Sequence, residues 1–295
     1  ATLAAVVTVT ATTAAALPET PTTGAAYSDV MPGTIPDATV QVSGASDGPA
    51  AAGLPPVPTV LYYGDSIGYE AGGAFADILA ASGRVKVEFR AFPATAVCDW
   101  LPDMRTRVAR EKPKAIVVSF LGLGLPKCMH DASGRSPQGS ALVRRTVQDA
   151  RTALQVLTST GATVYWNSTP ASWTLPDQDR LTSAVREVVL ETPHAQWVDA
   201  GEAVAPHNRW TRYLPCLPDE PCRPDGTAQV RGPDIMHFCP RGKTWMDSAP
   251  RGRCPVWSSG AWRYALAQAM PVLRQLELRV PEKPIISTAH GTRLT

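Results

Sequence analysis

The sequence predicts an α/β fold of three layers, in which a parallel sheet of about five strands lies between two layers of helices. Three observations carry this expectation. Short apolar runs alternate with longer amphipathic stretches from Pro58 to about Leu278, the pattern of strands joined by helical crossovers. Ala115–Leu121 is an apolar run that suits a strand buried on both faces. The chain has 295 residues and is 44% hydrophobic, enough for one large domain of roughly 200–250 residues plus a tail.

The elements follow in order. Thr59–Tyr63 reads as the first strand and Tyr69–Ala81 as the first helix. Val85–Phe92 is a second strand, and Leu101–Glu111 is helical, with its start close to Pro102. After Ala115–Leu121, the stretch Ser140–Thr158 places Leu142, Val143, Val147, Ala150, Leu154 and Leu157 at helical spacing and ends before Gly161. Thr163–Trp166 is a strand, Gln178–Leu190 a helix and Gln196–Val198 a strand. Pro206–Pro255 is rich in Pro, Gly and Cys and predicts little regular structure; Trp262–Leu278 is a last amphipathic helix. Long irregular stretches inside compact domains are often functional. In a parallel sheet, sites form beyond the carboxyl ends of the strands. Ser66, Ala94 and Gly122 follow the first three strands, so the fold brings their turns to one edge.

Residues 1–57 read as a low-complexity tail or linker, 58–280 as the folded domain and 281–295 as a C-terminal tail. Ala1–Leu17 is an uncharged Ala/Thr/Val run, too short and Thr-rich to span a bilayer by itself. It is a candidate remnant of a signal or membrane segment, and so a candidate membrane tether. Pro18–Pro56 holds few large apolar residues and cannot bury enough surface to offset its ordering entropy.

Net charge is +2 with both signs interspersed, which argues against a nucleic-acid partner. Six cysteines occur, at 98, 128, 216, 222, 239 and 254, with no CxxC pair and no grouped histidines, so neither a metal site nor a cofactor is expected. The even count favours disulfides over buried free thiols. The pairing Cys98–Cys128, Cys216–Cys222 and Cys239–Cys254 joins neighbouring loops, and disulfides imply an oxidising, extracytoplasmic location.

Two segments carry chemistry. Leu61-Tyr62-Tyr63-Gly64-Asp65-Ser66-Ile67-Gly68 sets a serine where a strand hands over to a helix, and Asp234-Ile235-Met236-His237 sets an acid three residues before a histidine. A serine hydroxyl is a weak nucleophile until a base takes its proton, and a histidine serves as that base when a third group fixes its tautomer. Ser66, His237 and Asp234 are the residue types that such a relay needs. The other four histidines have no comparable context.

These blocks resemble the SGNH (GDSL-type) hydrolases. Gly64-Asp65-Ser66 is similar to the family's first block and Asp234-x-x-His237 to its last. Asp234–Pro240, Thr95–Pro102 and Ser258–Arg263 resemble a secreted, disulfide-containing bacterial branch. The resemblance spans roughly Thr59–Leu278 and implies a flavodoxin-like sheet, with Ser66 as nucleophile, His237 as base and then acid, and Asp234 as orienting partner.

It also implies an oxyanion hole built from the backbone N–H of Ser66, a second-block N–H at Ala94 and a third-block Asn. The position of that Asn is Leu123, which has no polar side-chain atom. A backbone N–H at Gly122 or Gly124, or the side chain of Asn167, is a candidate substitute. The expected function is an extracytoplasmic serine esterase acting on small-molecule or glycan esters, with short acyl groups on carbohydrate favoured. Two alternatives remain: the acyltransferase domain of a membrane O-acyltransferase system, and a carbohydrate-binding pseudoenzyme lacking the third donor.

Overall fold

The computed structural model describes residues 56–172, 175, 177–240, 254–281, 285–288 and 291–294, the last two segments by backbone alone. The Ala1–Leu17 run, nearly all of the linker, and residues 241–253 of the long loop region lie outside the described residues.

Five parallel strands form the central sheet: β1 (Thr59–Gly64), β2 (Lys86–Ala91), β3 (Ala115–Ser119), β4 (Thr163–Asn167) and β5 (Ala195–Val198), in the order β2-β1-β3-β4-β5. The helices are α1 (Ser66–Ser82), α2 (Val97–Glu111), α3 (Gly139–Thr158), α4 (Gln178–Glu191) and α5 (Ser259–Gln275). The expected three-layer α/β/α architecture is present. α1 packs on α5 on one face; α2 packs on α3, and α3 on α4, on the other.

β1 shows how the sheet reads both layers. Successive side chains of a strand point to opposite faces. Tyr62 packs its ring on Phe75 and Phe89, centroids 5.1 and 5.3 Å away, and its hydroxyl donates to Gln268 of α5 at 3.0 Å. Tyr63 turns the other way, edge-on to Trp100 at 6.0 Å, with its hydroxyl donating to Asp103 of α2 at 3.0 Å. Both buried hydroxyls are hydrogen-bonded, as burial of a polar group requires.

Both early helices start sooner than their apolar spacing predicts, because acids cap them. Asp65 precedes α1 and accepts from the N–H of Ile67 at 3.0 Å. Asp99 folds back to accept from the N–H of Ala96 at 2.8 Å, so α2 begins at Val97, ahead of Pro102. Such carboxylates satisfy N–H groups that lack intrahelical partners. The region expected to be irregular holds a short antiparallel ribbon, β6 (Tyr213–Pro215) with β7 (Thr227–Gln229). Three-residue strands are too short to give a readable alternation. A second ribbon, β8 (Ile285–Thr288) with β9 (Gly291–Leu294), lies in the segment expected to be a tail. The disulfides are Cys98–Cys128, Cys216–Cys222 and Cys239–Cys254, the expected pairing.

The strands end nearly level. Gly64 pairs with Ala91 on one side and Ser119 on the other, and Asn167 pairs with Val198. The chain moves to opposite sides of β1 to build β2 and β3. Their carboxyl ends therefore flank a topological switch point, where open α/β sheets form their crevice. Gly64 is required there: a Cβ would lie 2.9 Å from Gly68 Cα and 3.0 Å from the Ser119 carbonyl.

Beyond β2, Ala94 adopts φ 60°, a left-handed conformation. Thr95 Oγ donates to the Phe92 carbonyl at 2.7 Å and accepts from Trp100 Nε1 at 3.0 Å, which locks the turn. A Cβ in this conformation costs roughly 1–2 kcal/mol. Glycine removes that cost but loses about 0.5–1 kcal/mol through greater freedom of the unfolded chain. Ala94→Gly is therefore expected to stabilise the domain by about 0.5–1 kcal/mol. A urea titration should show a higher midpoint at unchanged slope; a lower midpoint contradicts the strain at this turn.

Candidate active site

Asp65 organises the crevice. One carboxylate oxygen caps α1; the other accepts from the N–H of Leu121, past the end of β3, at 2.5 Å. Its own N–H donates to the Ser119 carbonyl at 3.2 Å. The turn after β1 is thus bonded twice to the end of β3. Asp65 is fully buried, and burial pushes its carboxyl up to about 6, against the pull of the Leu121 and Ile67 N–H bonds and the charge of His237.

Ser66 is the first residue of α1 and is 5% exposed. At this position its backbone N–H has no intrahelical acceptor, and the helix end carries partial positive charge. A negative charge developing beside Ser66 would be met by both.

The loop that follows β7 supplies the imidazole. Asp234 Oδ2 lies 2.7 Å from His237 Nδ1, while Oδ1 accepts from the N–H groups of Met236 and His237 at 3.2 and 3.0 Å. This carboxylate therefore fixes both the ring and its backbone. Ile235 is forced to φ 63° in the turn between them, a rare conformation for a β-branched residue. Trp210 Nε1 donates to the Ile235 carbonyl at 2.6 Å, and Gly232 N–H to the His237 carbonyl at 2.6 Å. Gly232 admits no side chain, since a Cβ would lie 2.6 Å from the Cys239 carbonyl. Below the loop, Ser258 caps α5 and donates to the Phe238 carbonyl at 2.8 Å, and Cys239 is tied to Cys254.

The electrostatics of the pair agree with its geometry. Burial raises the Asp234 carboxyl, but the hydrogen bond and charge of His237 and the two N–H bonds outweigh it and hold the group at about 2. Burial lowers His237, yet the Asp234 hydrogen bond and the charges of Glu70, Asp234 and Asp65 leave it above the ordinary histidine value. The residue after His237, Phe238, donates its N–H to Glu70, one helical turn after Ser66, and so ties this loop to the start of α1.

The expected oxyanion donors divide. Ala94 stands in the strained turn after β2, and Gly122 has φ 80° in the turn after β3. A Cβ at Gly122 would meet only ordinary contacts, so its conformation rather than its space favours glycine. Leu123 is half-buried and packed against the core, and so provides no polar group. Asn167 does not serve as a substitute. Its amide nitrogen donates to the carbonyls of Val118 and Tyr165 at 3.1 and 3.0 Å, sealing the ends of β3 and β4. Two cavities adjoin this edge. One of about 20 Å³ lies under Gly122 between Phe120, Leu121, Leu181 and Val185. Its neighbour of about 200 Å³ shares Thr169 and Thr182 with it and is lined by Ser168, Ser183, Asp179, Asp199 and Glu202.

Sequence reasoning missed Glu70. It lies one helical turn after Ser66 and is 1% exposed; the acid at this spacing was the only available signal. Two clusters of metal-ligating types occur among the described residues, Glu70 with Cys239 and Cys254, and Asp99 with Cys98 and Cys128. In each, the cysteines are bonded to one another, which removes the thiolates a metal would need.

Solved structures similar to this chain include a lipase/acylhydrolase from Enterococcus faecalis, at 17% identity over 77% of this chain and 100% of that one, with a TM-score of 0.44. An acetylxylan esterase, Axe2, from Geobacillus stearothermophilus matches at 14% identity over 77% and 97%, TM-score 0.44. The psychrotrophic esterase EstA from Pseudoalteromonas sp. matches at 12% identity over 61% and 86%, TM-score 0.40. All three are described as lipases or esterases. No curated protein matches. The family model described as "Protein of unknown function (DUF459)" matches residues 59–249, and the chain belongs to that family.

Proposed function

We propose that this chain is an SGNH-type serine ester hydrolase. The observation that carries the proposal is the Asp234–His237 pair at 2.7 Å, in a loop tied to α1 through Glu70, one helical turn after Ser66. In this mechanism Ser66 Oγ attacks the ester carbonyl carbon as His237 Nε2 takes its proton. The carbonyl oxygen becomes an oxyanion facing the N–H groups of Ser66 and Ala94, with Gly122 as a further backbone donor. The C–O bond breaks, the alcohol leaves with the proton from His237, and an acyl-Ser66 ester remains. Water, deprotonated by His237, then releases the acid and restores Ser66. Asp234 holds the tautomer and balances the imidazolium in both steps.

We infer an ester of a short acyl group with a small or carbohydrate alcohol as the substrate class; the two cavities are lined by neither Ser66 nor His237 and do not bear on it. The three disulfides favour an oxidising, extracytoplasmic compartment. No helix among the described residues is long and apolar enough to cross a membrane.

Ser66→Ala is expected to lower p-nitrophenyl acetate turnover by on the order of 10⁴-fold or more without unfolding the protein. Retention of wild-type turnover in that variant would remove the nucleophile and the proposal with it. Asp234→Asn is expected to cost on the order of 10⁴-fold in kcat, because the amide stabilises neither the required tautomer nor the imidazolium.

The pH dependence follows from the sign of the His237 shift. Only neutral His237 accepts a proton from Ser66, and its value is raised. The acid limb of kcat/KM is therefore expected above the ordinary histidine value of about 6.5. A limb below that value contradicts the proposed charge environment.

A further inference from the structure

The backbone around His237 uses two carboxylates rather than one. Asp234 accepts from the N–H groups of Met236 and His237. Glu70 Oε2 accepts from the next two, Phe238 at 2.5 Å and Cys239 at 3.2 Å. Four consecutive amides thus end on two acids, one from the loop itself and one from α1. Ser66 and Glu70 are four residues apart on α1 and share a face. The helix that presents the serine therefore also grips the chain directly after the imidazole.

Burying a carboxylate is costly unless its bonds and charge are used. Glu70 is 1% exposed, and its second oxygen, Oε1, is buried with no hydrogen-bond partner among the described residues. The charged groups that face it are His237 and Asp234 on the loop, and Arg231 before the loop. Arg231 is itself buried and stacked 5.2 Å from the Phe238 ring. Burial pushes the Glu70 carboxyl up to about 7, against the charge of His237 and the two N–H bonds. Reciprocally, Glu70 favours the imidazolium form of His237. A purely structural latch needs an acceptor here but not a charge, and the orphaned oxygen marks the charge as the unexplained part.

Resting on the ester-hydrolase reading, we propose that Glu70 is a positioning residue for His237, setting the imidazole's height above Ser66 through Phe238 and Cys239 and stabilising its protonated form during turnover. Two variants of the full chain separate these contributions. In Glu70→Gln, the amide oxygen can still accept from both N–H groups, but the charge is gone. Its acid limb is expected to move to lower pH, with KM within about twofold of wild type. In Glu70→Ala, the acceptor is lost as well. Its kcat is expected to fall by about 10²-fold at little change in KM, the scale of a displaced catalytic group. Amide exchange at Phe238 and Cys239 is expected to rise at least about tenfold, and Glu70→Gln should recover most of the lost kcat.

An unchanged pH limb in Glu70→Gln together with wild-type kcat in Glu70→Ala overturns the proposal. So does unchanged exchange at the two amides, a readout that is independent of activity. Should Glu70→Ala fail to fold, the Glu70→Gln limb decides. Failure of the ester-hydrolase reading is seen separately, as unaltered turnover in Ser66→Ala.

Discussion

The rest of the structure depends on closure of the crevice at β1 by a buried carboxylate. Asp65 caps the helix that carries Ser66 and at the same time bonds the backbone leaving β3. Without both bonds, the first turn of α1 and the turn after β3 would be independent loops. With them, the start of α1 and the turn after β3 form one edge, to which the Phe92 N–H, on the Gly64 carbonyl at 3.1 Å, joins the turn after β2. Gly64 permits this closeness, because any side chain there would strike Gly68 and Ser119. The left-handed Ala94 and Ile235 are the local strains that this edge and the opposing loop retain. Such strain persists only where surrounding bonds over-determine the backbone.

The imidazole is then delivered to that edge by a loop with few degrees of freedom. Asp234, Glu70, Trp210, Ser258 and the Cys239–Cys254 bond each hold a different part of it. Asp234 bonds His237 directly, the charges of Glu70 and Asp65 also favour its protonated form, and the buried Arg231 interacts with Glu70 and Asp234. This negative charge favours the protonated form of His237. It also raises the cost of burying Asp65 and Glu70, whose carboxyls are both pushed up. The arrangement trades stability of the ionised acids for stability of the imidazolium.

What was legible in the sequence follows from the range of the interactions involved. The strands were readable because burial on both faces leaves a local mark, as in Ala115–Ser119, buried throughout. The cysteine pairing was readable because each bond joins cysteines consecutive in the sequence, 30, 6 and 15 residues apart. Helix starts were misplaced by three or four residues because apolar spacing does not register the capping by Asp65 and Asp99. Ribbon β6–β7 is too short to show alternation. Asn167 looked like a spare donor because the sequence shows a polar residue at a strand end, but not the Val118 and Tyr165 carbonyls that consume its amide. Glu70 was invisible for the converse reason. A lone glutamate in a helix reads as solvated, and its partners lie 168 and 169 residues away. Local pattern thus located the strand and loop that lead to Ser66 and His237, while long-range hydrogen bonding decides which neighbours hold them.

The central claim is that the imidazole at 237 and the hydroxyl at 66 act on one ester carbon. A crystal structure of the protein inhibited with a short alkyl fluorophosphonate tests it most directly. The account predicts phosphorus bonded to Ser66 Oγ and a phosphonyl oxygen within hydrogen-bonding distance of the Ser66 and Ala94 N–H groups. It also places His237 Nε2 about 3 Å from the oxygen at the leaving-group position. Phosphorus bonded to another residue, or an imidazole turned away from a Ser66 adduct, would contradict it.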